Sequence, residues 1–579
     1  MKILRTYIKE NIGILSLGAI FLTLNTFATL AIPFQISNII NLGIMKKDID
    51  TVYSTSIKMV IILIVGTATG IIANHFVALF ATNFTKKNRK LLVRNLESLT
   101  IDQVNDFGVA SLVTRMGNDN NNAQRLIVAF FQMILPSPIM AVISIFMTIK
   151  LSPTLALIPL FTILVFALAI VLTLFKSLPY ILKIQKKLDR MTLVLRERFI
   201  GAKIIRAFDN SKKERDKFND IAQEYTDNYI IINKKFALLS PMAFALMSVV
   251  ITLIIFFGAM KVLNNTLEIG SITAIVEYSL TTIAALIMSS MVLVQMPKAV
   301  VSIERIEEVL NVTSEIKDKE GLKDNSHYED ILKQNPISLT FDNVSFRYKG
   351  AEKQILKNIS FSIKAGERFA IVGATGSGKS TIAKVLLRLN DIECGKILIN
   401  GVNTQDLPLN CLRNQISYTP QKAYLFSGKI KDNFRFTNKD MTNEEMIKVA
   451  KVAQSYDFID SLSDKFDSFV AQGGTNFSGG QKQRLSIARA LSKEANIYLF
   501  DDSFSALDYA TDAKLRKELK TFLKDKITII IAQRLNTIAD ADKIIVLKDS
   551  EITGMGTHQE LLESNQEYIE LAKSQGILE

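Results

Sequence analysis

The stretch RFAIVGATGSGKST (368–381) decides the fold of the C-terminal half of this chain. An apolar run leads into a glycine-rich loop and a helix start, and residues 373–380 match the pattern GxxxxGK[ST] at every position. Glycines let successive backbone N–H groups curl around phosphates, and the helix N-terminus adds positive potential. The segment therefore predicts a phosphate-binding loop between a strand and a helix. The predicted binding residues are Gly373, Ala374, Thr375, Gly376, Ser377, Gly378, Lys379, Ser380 and Thr381.

Two side chains of this loop have distinct expected tasks. The Lys379 ammonium should reach the terminal phosphates of a nucleotide, and the Ser380 hydroxyl should bind Mg²⁺. Downstream, Gln421 follows a predicted strand, and the apolar strand IYLFD ends at Asp501 with a second acid, Asp502, directly after it. An apolar strand that delivers an acidic residue is suited to holding Mg²⁺ beside bound phosphates.

A glycine-rich turn at 473–480 opens a basic amphipathic helix in the same half. The hydroxyl of Ser478 and the backbone N–H groups of Gly479 and Gly480 provide another anion-binding helix start. The motif SALD (505–508) comes directly after the paired acids. The second half thus predicts an α/β nucleotide-binding domain with several phosphate-contacting segments.

The bulk composition requires more than this one domain. The chain has 579 residues and a mean hydropathy of +0.22 although 22% of its residues are charged, and its apolar runs are concentrated in the first 300 residues. The net charge of +13 comes from lysines and arginines beside apolar segments, which is typical of cytoplasmic membrane loops rather than of nucleic-acid binding. The two cysteines, Cys394 and Cys411, give no indication of disulfides, so a reducing compartment is expected.

Six apolar segments are long enough to cross a bilayer, which needs about 20 residues. The alternative, buried core helices, does not suit so many long runs, and no cleavable signal pattern precedes the first one, so we expect a retained helix there. The connections around 85–94 and 183–190 are long and basic, which places them, both chain ends and the second domain in the cytoplasm. The predicted segments are 11–35, 57–82, 127–149, 152–175, 237–260 and 271–295.

Two stretches, 108–124 and 201–214, mix small, polar and charged residues within helical sequence. They are interpreted as reversal points, either solvated turns or short coupling helices that dock on the nucleotide domain. His75 and Glu277 are ionisable residues at predicted membrane depth, where such groups face a cavity or a partner, or lie near an interface. The residues leave both pairs of alternatives open.

Taken together, these motifs resemble the ATP-binding cassette exporters of the B type, in which six membrane helices are fused to one cassette. NFSGGQ (476–481) is similar to the family signature, and DFGVASLVTRMGND (106–119) extends the resemblance into the first half. The implied fold is multidomain: an all-α six-helix transmembrane domain (1–303), a linker (304–336) and an α/β P-loop cassette (337–573).

The resemblance also implies the cofactors ATP and Mg²⁺ and the roles of single residues. Tyr348 would stack on adenine, Asp508 would lie in a loop coupling two sites, and Mg²⁺ would be held by Ser380, Gln421 and Asp501. Family members pair their cassettes head to tail, so that each ATP lies between one chain's P-loop and the other's signature. The signature residues acting on the partner's ATP would be Ser478, Gly479, Gly480 and Gln481.

Two positions depart from the family pattern. Asp502 stands where a glutamate normally polarises the attacking water, and Gln533 stands where a histidine is expected. The aspartate is one methylene shorter, which withdraws its carboxylate by about 1.5 Å, and a glutamine cannot titrate. Because both changes affect hydrolysis and none affects binding, the sequence predicts a heterodimer with a second half-transporter, in which this chain's site is a slow clamp. The alternative is a slow but working homodimer.

The expected function is export of small amphiphilic drug-like or lipid-like substrates through the cell membrane, because the spans are rich in Phe, Met, Leu and Ile and poor in charge. A peptide exporter and an ATP-gated or regulatory membrane subunit are the alternatives. The six spans argue against a soluble cassette protein acting on ribosomes or DNA, and the resemblance argues against an importer, because importers of the family usually keep membrane and ATPase parts on separate chains.

Overall fold

The computed structural model describes residues 1–319, 321, 328, 331, 332 and 337–578. The chain forms two compact units. The first, the membrane unit, comprises Met1–Ser98 and Val104–Thr313, and the second, the cassette unit, comprises Leu99–Gln103 and Ser314–Glu579. Part of the predicted linker, 304–336, lies outside the described residues, and its first residues continue the last helix of the membrane unit, which ends at Asn311.

Residues 1–313 fold into helices. Short π-helical turns at Ile39–Ile44, Arg115–Asp119 and Phe130–Ile134 join or extend some of them. The α-helices are α1 (Lys2–Glu10), α2 (Ile12–Asn38), α3 (Ile49–Ser98), α4 (Ile101–Phe107), α5 (Val109–Thr114), α6 (Asn120–Ala129), α7 (Pro136–Leu151), α8 (Leu157–Ile200), α9 (Ala202–Ala207), α10 (Ser211–Ala237), α11 (Leu239–Leu263) and α12 (Ile269–Asn311).

Six helical stretches in the described residues are long and apolar enough to cross a membrane, which confirms the predicted six-helix class. Each predicted segment overlaps one of them. The 27 residues of α2 span about 40 Å, enough for the apolar core of a bilayer. The 50 residues of α3 span about 75 Å, so this helix continues well beyond the membrane, and its last third carries the basic cluster that starts at Lys86.

The first predicted reversal, 108–124, is wrong in position. Helix α3 ends at Ser98, α4 occupies Ile101–Phe107, and the chain is then helical again from Val109. Thr100 and Gln103 explain the earlier start, because each side chain accepts a hydrogen bond from the other's backbone N–H, at 3.2 and 3.0 Å, as in a capping box. Gly108, at φ 74°, permits the break after α4. In the second predicted stretch, 201–214, the short helix α9 does lie between two longer helices.

Aromatic packing fixes the N-terminal helix to the membrane unit. Tyr7 of α1 is buried, and its ring centroid lies 5.0 Å from that of Phe80 and 5.2 Å from that of Phe84, both on α3. The N-terminal ammonium lies 2.6 Å from the Glu307 carboxylate on α12, which also accepts the Ile3 N–H at 2.7 Å. Helix α1 is therefore tied to both α3 and α12.

The cassette unit contains two larger sheets. One is antiparallel with the order β2-β1-β4-β5, and the other has the order β12-β11-β3-β10-β9-β6, parallel except for the edge strand β12. The strands are β1 (Ser338–Phe346), β2 (Leu356–Lys364), β3 (Arg368–Gly373), β4 (Cys394–Ile399), β5 (Val402–Asn403), β6 (Ile416–Thr419), β7 (Gly428–Lys429), β8 (Phe469–Val470), β9 (Ile497–Asp501), β10 (Ile527–Ile531), β11 (Lys543–Lys548) and β12 (Glu551–Gly556).

The order of the parallel strands assembles the predicted motifs at one edge. Strand β10 lies between β3 and β9, and Ile531 is paired with both Ile371 and Asp501. The carboxyl ends of β3, β6, β9 and β10 therefore bring together the segments that follow them, as is usual for ligand sites in parallel sheets. The cassette helices are α13 (Lys379–Leu386), α14 (Leu409–Asn414), α15 (Ile430–Phe434), α16 (Asn443–Val452), α17 (Tyr456–Asp460), α18 (Gly479–Leu491), α19 (Tyr509–Phe522), α20 (Leu535–Ile538), α21 (His558–Ser564) and α22 (Gln566–Ser574).

Candidate nucleotide-binding and hydrolysis site

The phosphate-binding loop has the backbone that its glycines predict. Gly376 and Gly378 have φ angles of 88° and 101°, which side chains rarely tolerate. A Cβ on Gly373 would lie 2.2 Å from the carbonyl oxygen of Leu547, so only glycine fits there. The loop ends in helix α13, which begins at Lys379, so backbone N–H groups point toward the space that phosphates would fill.

Two polar side chains of this loop are buried. The Lys379 ammonium donates to the carbonyl oxygens of Gly373 and Ala374, each at 2.7 Å, and burial lowers its pKa while the charges of Asp502 and Asp501 raise it. The Ser377 hydroxyl is buried and has no hydrogen-bond partner within the described residues. An unpaired buried hydroxyl costs stability, so this atom fits a loop built to contact a phosphate oxygen.

Two of the three Mg²⁺ ligands predicted by the resemblance, Ser380 and Asp501, are in direct contact. The Ser380 hydroxyl donates to one oxygen of Asp501 at 3.0 Å, and the Tyr418 hydroxyl donates to the other at 3.4 Å. Burial raises the pKa of the Asp501 carboxyl, while the two hydrogen bonds lower it. A hydroxyl and a carboxylate in contact are hard oxygen ligands of the kind Mg²⁺ takes beside nucleotide phosphates, so these residues fit the ion. Tyr418 was not predicted.

Asp502 lies beside Gln421. The Gln421 side-chain amide donates to the Asp502 carboxylate at 3.1 Å, which leaves the amide oxygen of Gln421 available as a metal ligand. Asp502 has a φ of 46°, in the left-handed region that aspartate tolerates better than most residues. Burial raises the pKa of its carboxyl, and the Gln421 hydrogen bond together with the charges of Lys379 and Arg534 lowers it.

Gln533 follows strand β10 and is exposed. Within the described residues its side-chain amide makes no hydrogen bond, whereas its main-chain carbonyl oxygen accepts one from the side-chain amide of Gln575 at 2.8 Å. The neighbouring Arg534 is a cation whose charge acts on Asp502, and its guanidinium lies 5.5 Å from the Tyr509 ring centroid. Gln575 and Arg534 were missed in the sequence, because neither belongs to a recognised motif.

At the predicted adenine end, Tyr348 lies next to helix α13. Its hydroxyl is 3.4 Å from that of Thr381 and accepts a hydrogen bond from Lys384 at 3.0 Å, and the Lys384 ammonium is 5.1 Å from the ring centroid. The aromatic ring is therefore held beside the phosphate-binding segment, as base stacking would require. Lys384 is a further residue that the motif analysis did not find.

The signature segment 478–481 lies against Ala506 and Leu507, which directly precede Asp508. Ser478 caps helix α18 in a reciprocal pair with Gln481, at 3.3 and 3.0 Å. A Cβ on Gly480 would lie 3.3 Å from the carbonyl oxygen of Ala506. Asp508 caps helix α19 by accepting the Thr511 N–H at 3.0 Å, and this hydrogen bond holds the pKa of its exposed carboxyl below its usual range.

The two ionisable residues predicted at membrane depth are both exposed on helices of the membrane unit. His75 lies on α3 with its ring centroid 5.9 Å from that of Phe76, and Glu277 lies on α12. Neither makes an ion pair with the part of the chain that the structure describes. Their roles stay predictions.

Comparison with known proteins agrees with this architecture. Two sequence-family profiles match, "ABC transporter transmembrane region" over residues 15–286 and "ABC transporter" over residues 356–505. The solved "Structure of a bacterial Atm1-family ABC exporter with ATP bound" has a TM-score of 0.79 at 24% identity and covers 96% of this chain and 98% of its own, which shows the fold.

Curated relatives extend the match over the full length. An uncharacterized ABC transporter ATP-binding protein, YfiB of Bacillus subtilis (strain 168), is 32% identical over 94% of this chain and 93% of its own. An ATP-dependent lipid A-core flippase of Mannheimia succiniciproducens is 26% identical over 97% and 95%. This chain therefore belongs to the ABC transporters, as a multi-pass membrane half-transporter whose single cytoplasmic cassette makes it part of an ATP-hydrolysing translocase.

Proposed function

We propose that this chain is one half of a heterodimeric ATP-driven exporter and that its own ATP site binds MgATP but hydrolyses it slowly. The observation that carries the proposal is a complete phosphate-binding loop in a chain with Asp502 and Gln533 at the two positions where the family resemblance expects the glutamate and histidine that act in hydrolysis. Binding and hydrolysis use different atoms of the site, so they can be separated by such changes.

Several contacts support intact binding. The ammonium of Lys379 is already at the loop, the Ser377 hydroxyl lacks a partner in the described residues, and Ser380 contacts Asp501. Mg²⁺ held by Ser380, Asp501 and Gln421 would neutralise phosphate charge and fix the orientation of the terminal phosphates. Tyr348 would stack on the adenine, and residues 373–381 would bind the phosphates.

Slow hydrolysis follows from two side chains. The Asp502 carboxylate is one methylene closer to its own backbone than a glutamate's would be, by about 1.5 Å. A displacement of about 1 Å at a reacting group can lower a rate on the order of 10²-fold. Gln533 can donate a hydrogen bond but cannot carry a positive charge, and its amide has no hydrogen bond within the described residues that would fix its direction. Both defects affect the same step.

The signature segment is complete, which favours a different partner chain. Ser478, Gly479, Gly480 and Gln481 begin helix α18 with the backbone N–H groups of a capped helix start. In a head-to-tail pair these atoms would act on the partner's ATP, and Asp508 would connect the two sites. A complete signature beside an impaired hydrolysis site is useful only if the partner's own P-loop is competent.

The proposed substrate is a small amphiphile, lipid-like or drug-like. The spans expose many large apolar side chains and few charges, and relatives from Mannheimia succiniciproducens and Haemophilus influenzae carry the name ATP-dependent lipid A-core flippase. An adaptable apolar surface suits substrates with a long apolar part. ATP-dependent transport of a fluorescent phospholipid in reconstituted vesicles distinguishes export from a channel, because a channel gives downhill flux only.

Coexpression tests the pairing. Two copies of this chain with different affinity tags should not copurify from the native host. A second half-transporter, with Glu and His at the positions of Asp502 and Gln533, should copurify with this chain. Copurification of both tags, with ATP turnover typical of exporters in that preparation, would show a working homodimer and contradict the proposal.

A further inference from the structure

A cavity in the membrane unit lies between α1, α3 and the C-terminal end of α12. Its volume is about 630 Å³, which is within the usual range for small-molecule sites. Its polar lining includes Lys2 from α1 and Lys87, Asn88, Arg94 and Asn95 from α3. The wall is thus basic on two elements and apolar elsewhere, where Ile3, Leu91 and Leu310 contribute.

The charges of this cavity are only partly neutralised. Lys87 forms an ion pair with Glu10 at 2.5 Å, and its ammonium lies 5.6 Å from the Tyr7 ring centroid. Lys2 and Arg94 form no ion pair with any residue that the structure describes. Glu307 on α12 is engaged by the N-terminal ammonium and by the Ile3 N–H. The cavity therefore keeps a net positive charge.

Asn88 points to a ligand independently of the charges. Its side chain is only 2% exposed, it lines the cavity, and it makes no hydrogen bond within the described residues. By contrast, Asn95 donates to the carbonyl oxygens of Val309 and Val312, at 2.7 and 3.2 Å, and so fixes α3 to the end of α12. Because Asn88 lines the cavity and its amide is not used within the described residues, a ligand in the cavity can supply the acceptor for this amide. An anionic oxygen would meet both the amide and the cations.

The end of the cavity at Lys87 and Asn88 lies at the level of lipid headgroups. The apolar part of α3 ends before Lys86, and the apolar part of α2 begins at Ile12, just after α1. From Lys87 to Arg94 the helix rises about 10 Å, which is comparable with the thickness of a headgroup layer. The basic residues and the cytoplasmic cassette assign this level to the inner leaflet.

From these observations we propose that the cavity binds the phosphate of an anionic phospholipid of the cytoplasmic leaflet. The Asn88 amide and the Arg94 and Lys87 cations contact the phosphate oxygens, and Lys2 closes the site from α1. The apolar wall faces the glycerol and the start of the acyl chains. A lipid bound here bridges α1 and α3 at the point where Asn95 fixes the end of α12.

The test is native mass spectrometry of the purified full chain with phosphatidylglycerol, phosphatidylcholine or inorganic phosphate. Lys2→Gln/Arg94→Gln removes two cations that make no ion pair in the described residues, and both side chains are exposed, so the variant should fold. Lys86→Gln/Lys90→Gln removes the same charge from exposed positions of α3 outside the cavity and serves as the matched control.

We expect phosphatidylglycerol to bind more tightly than phosphatidylcholine, the Lys2/Arg94 variant to lose at least fivefold in that affinity, and the control variant to lose less than twofold. Asn88→Ala should weaken binding without changing the net charge. Equal losses in the two double variants would reduce the effect to general surface charge and overturn the proposal. Displacement of the lipid by millimolar inorganic phosphate would overturn the lipid source in favour of a free phosphate.

Discussion

The side chain of Gln575 makes hydrogen bonds with the backbone of both Gln533 and Leu535. Its amide donates to the Gln533 carbonyl oxygen at 2.8 Å, and its oxygen accepts the Leu535 N–H at 2.8 Å. Leu535 is fully buried and begins helix α20. A residue just beyond the last helix of the cassette therefore sets the backbone position of the altered switch residue.

Gln575→Ala should loosen this segment. It leaves the N–H of buried Leu535 and the Gln533 carbonyl oxygen without their partner, which costs about 1 kcal/mol. The amides of residues 533–538 should then exchange hydrogen about fivefold faster, as measured by hydrogen exchange with mass spectrometry. Gln575→Glu keeps the acceptor for the Leu535 N–H, so its exchange rates should lie between those of the wild type and of Gln575→Ala. Ser574→Ala, which removes only a local hydrogen bond to Leu571, is the control. Unchanged exchange in Gln575→Ala would rule out this role of Gln575.

Ser377→Ala should weaken MgATP binding without lowering the stability of the nucleotide-free protein. The variant removes a buried hydroxyl that has no partner in the described residues. The unfolding temperature of the nucleotide-free protein should therefore change little or rise slightly. If the hydroxyl contacts a phosphate, MgATP affinity should fall about tenfold or more, because a hydrogen bond to a charged group is lost. Lys379→Ala, which removes the main side-chain cation, should abolish binding. Wild-type affinity in Ser377→Ala, measured by titration with a fluorescent ATP analogue, would contradict a phosphate contact there.

Gly479→Ala should nearly abolish ATP turnover of the assembled pair. Apart from its own helix backbone and chain neighbours, an added Cβ at Gly479 meets no atom of the described residues within 4 Å, so folding and the cap at Ser478 are preserved, and any loss arises at the partner's nucleotide. Asp502→Ala should reduce turnover less than twofold, because the site that it changes already contributes little. Steady-state ATPase assays of the two purified pairs make the comparison. Equal losses in both variants are incompatible with an asymmetric pair.

Local motifs predicted the cassette well for a physical reason. The P-loop, the strand ending at Asp501 and the signature each combine a loop with the element that positions it, and the parallel sheet then aligns their carboxyl ends. The six membrane helices could also be predicted from the sequence, because a bilayer needs one long apolar run for each span. The first predicted reversal, 108–124, was misplaced. A capping box at Thr100 and Gln103 starts helix α4 before this polar stretch.

The contacts that the sequence did not predict join distant positions. Gln575 is 42 residues away from Gln533, and Lys384 is 36 residues away from Tyr348. The cavity lined by Lys2, Asn88 and Leu310 joins three helices. No periodicity or motif spacing encodes such pairs, since they form only when separate elements pack together.

Restoring one residue should not restore hydrolysis. Asp502→Glu extends the carboxylate toward the water, but the backbone there has a φ of 46°, which glutamate tolerates less well than aspartate, and Gln533 still cannot carry a charge. Because residues that act as a unit are non-additive, Asp502→Glu/Gln533→His should exceed the product of the single effects. The measurement is ATPase activity of the four proteins in a pair whose other site is inactivated. Full recovery from Asp502→Glu alone would identify the short carboxylate as the whole defect.

The most direct test of the proposed slow site is a paired measurement on the purified chain alone, in lipid nanodiscs, of MgATP binding and single-turnover hydrolysis. The account predicts near-stoichiometric binding that Lys379→Ala abolishes, with hydrolysis on the order of 10²-fold slower than in the assembled pair. Hydrolysis by the chain alone at the rate of the assembled pair would contradict it.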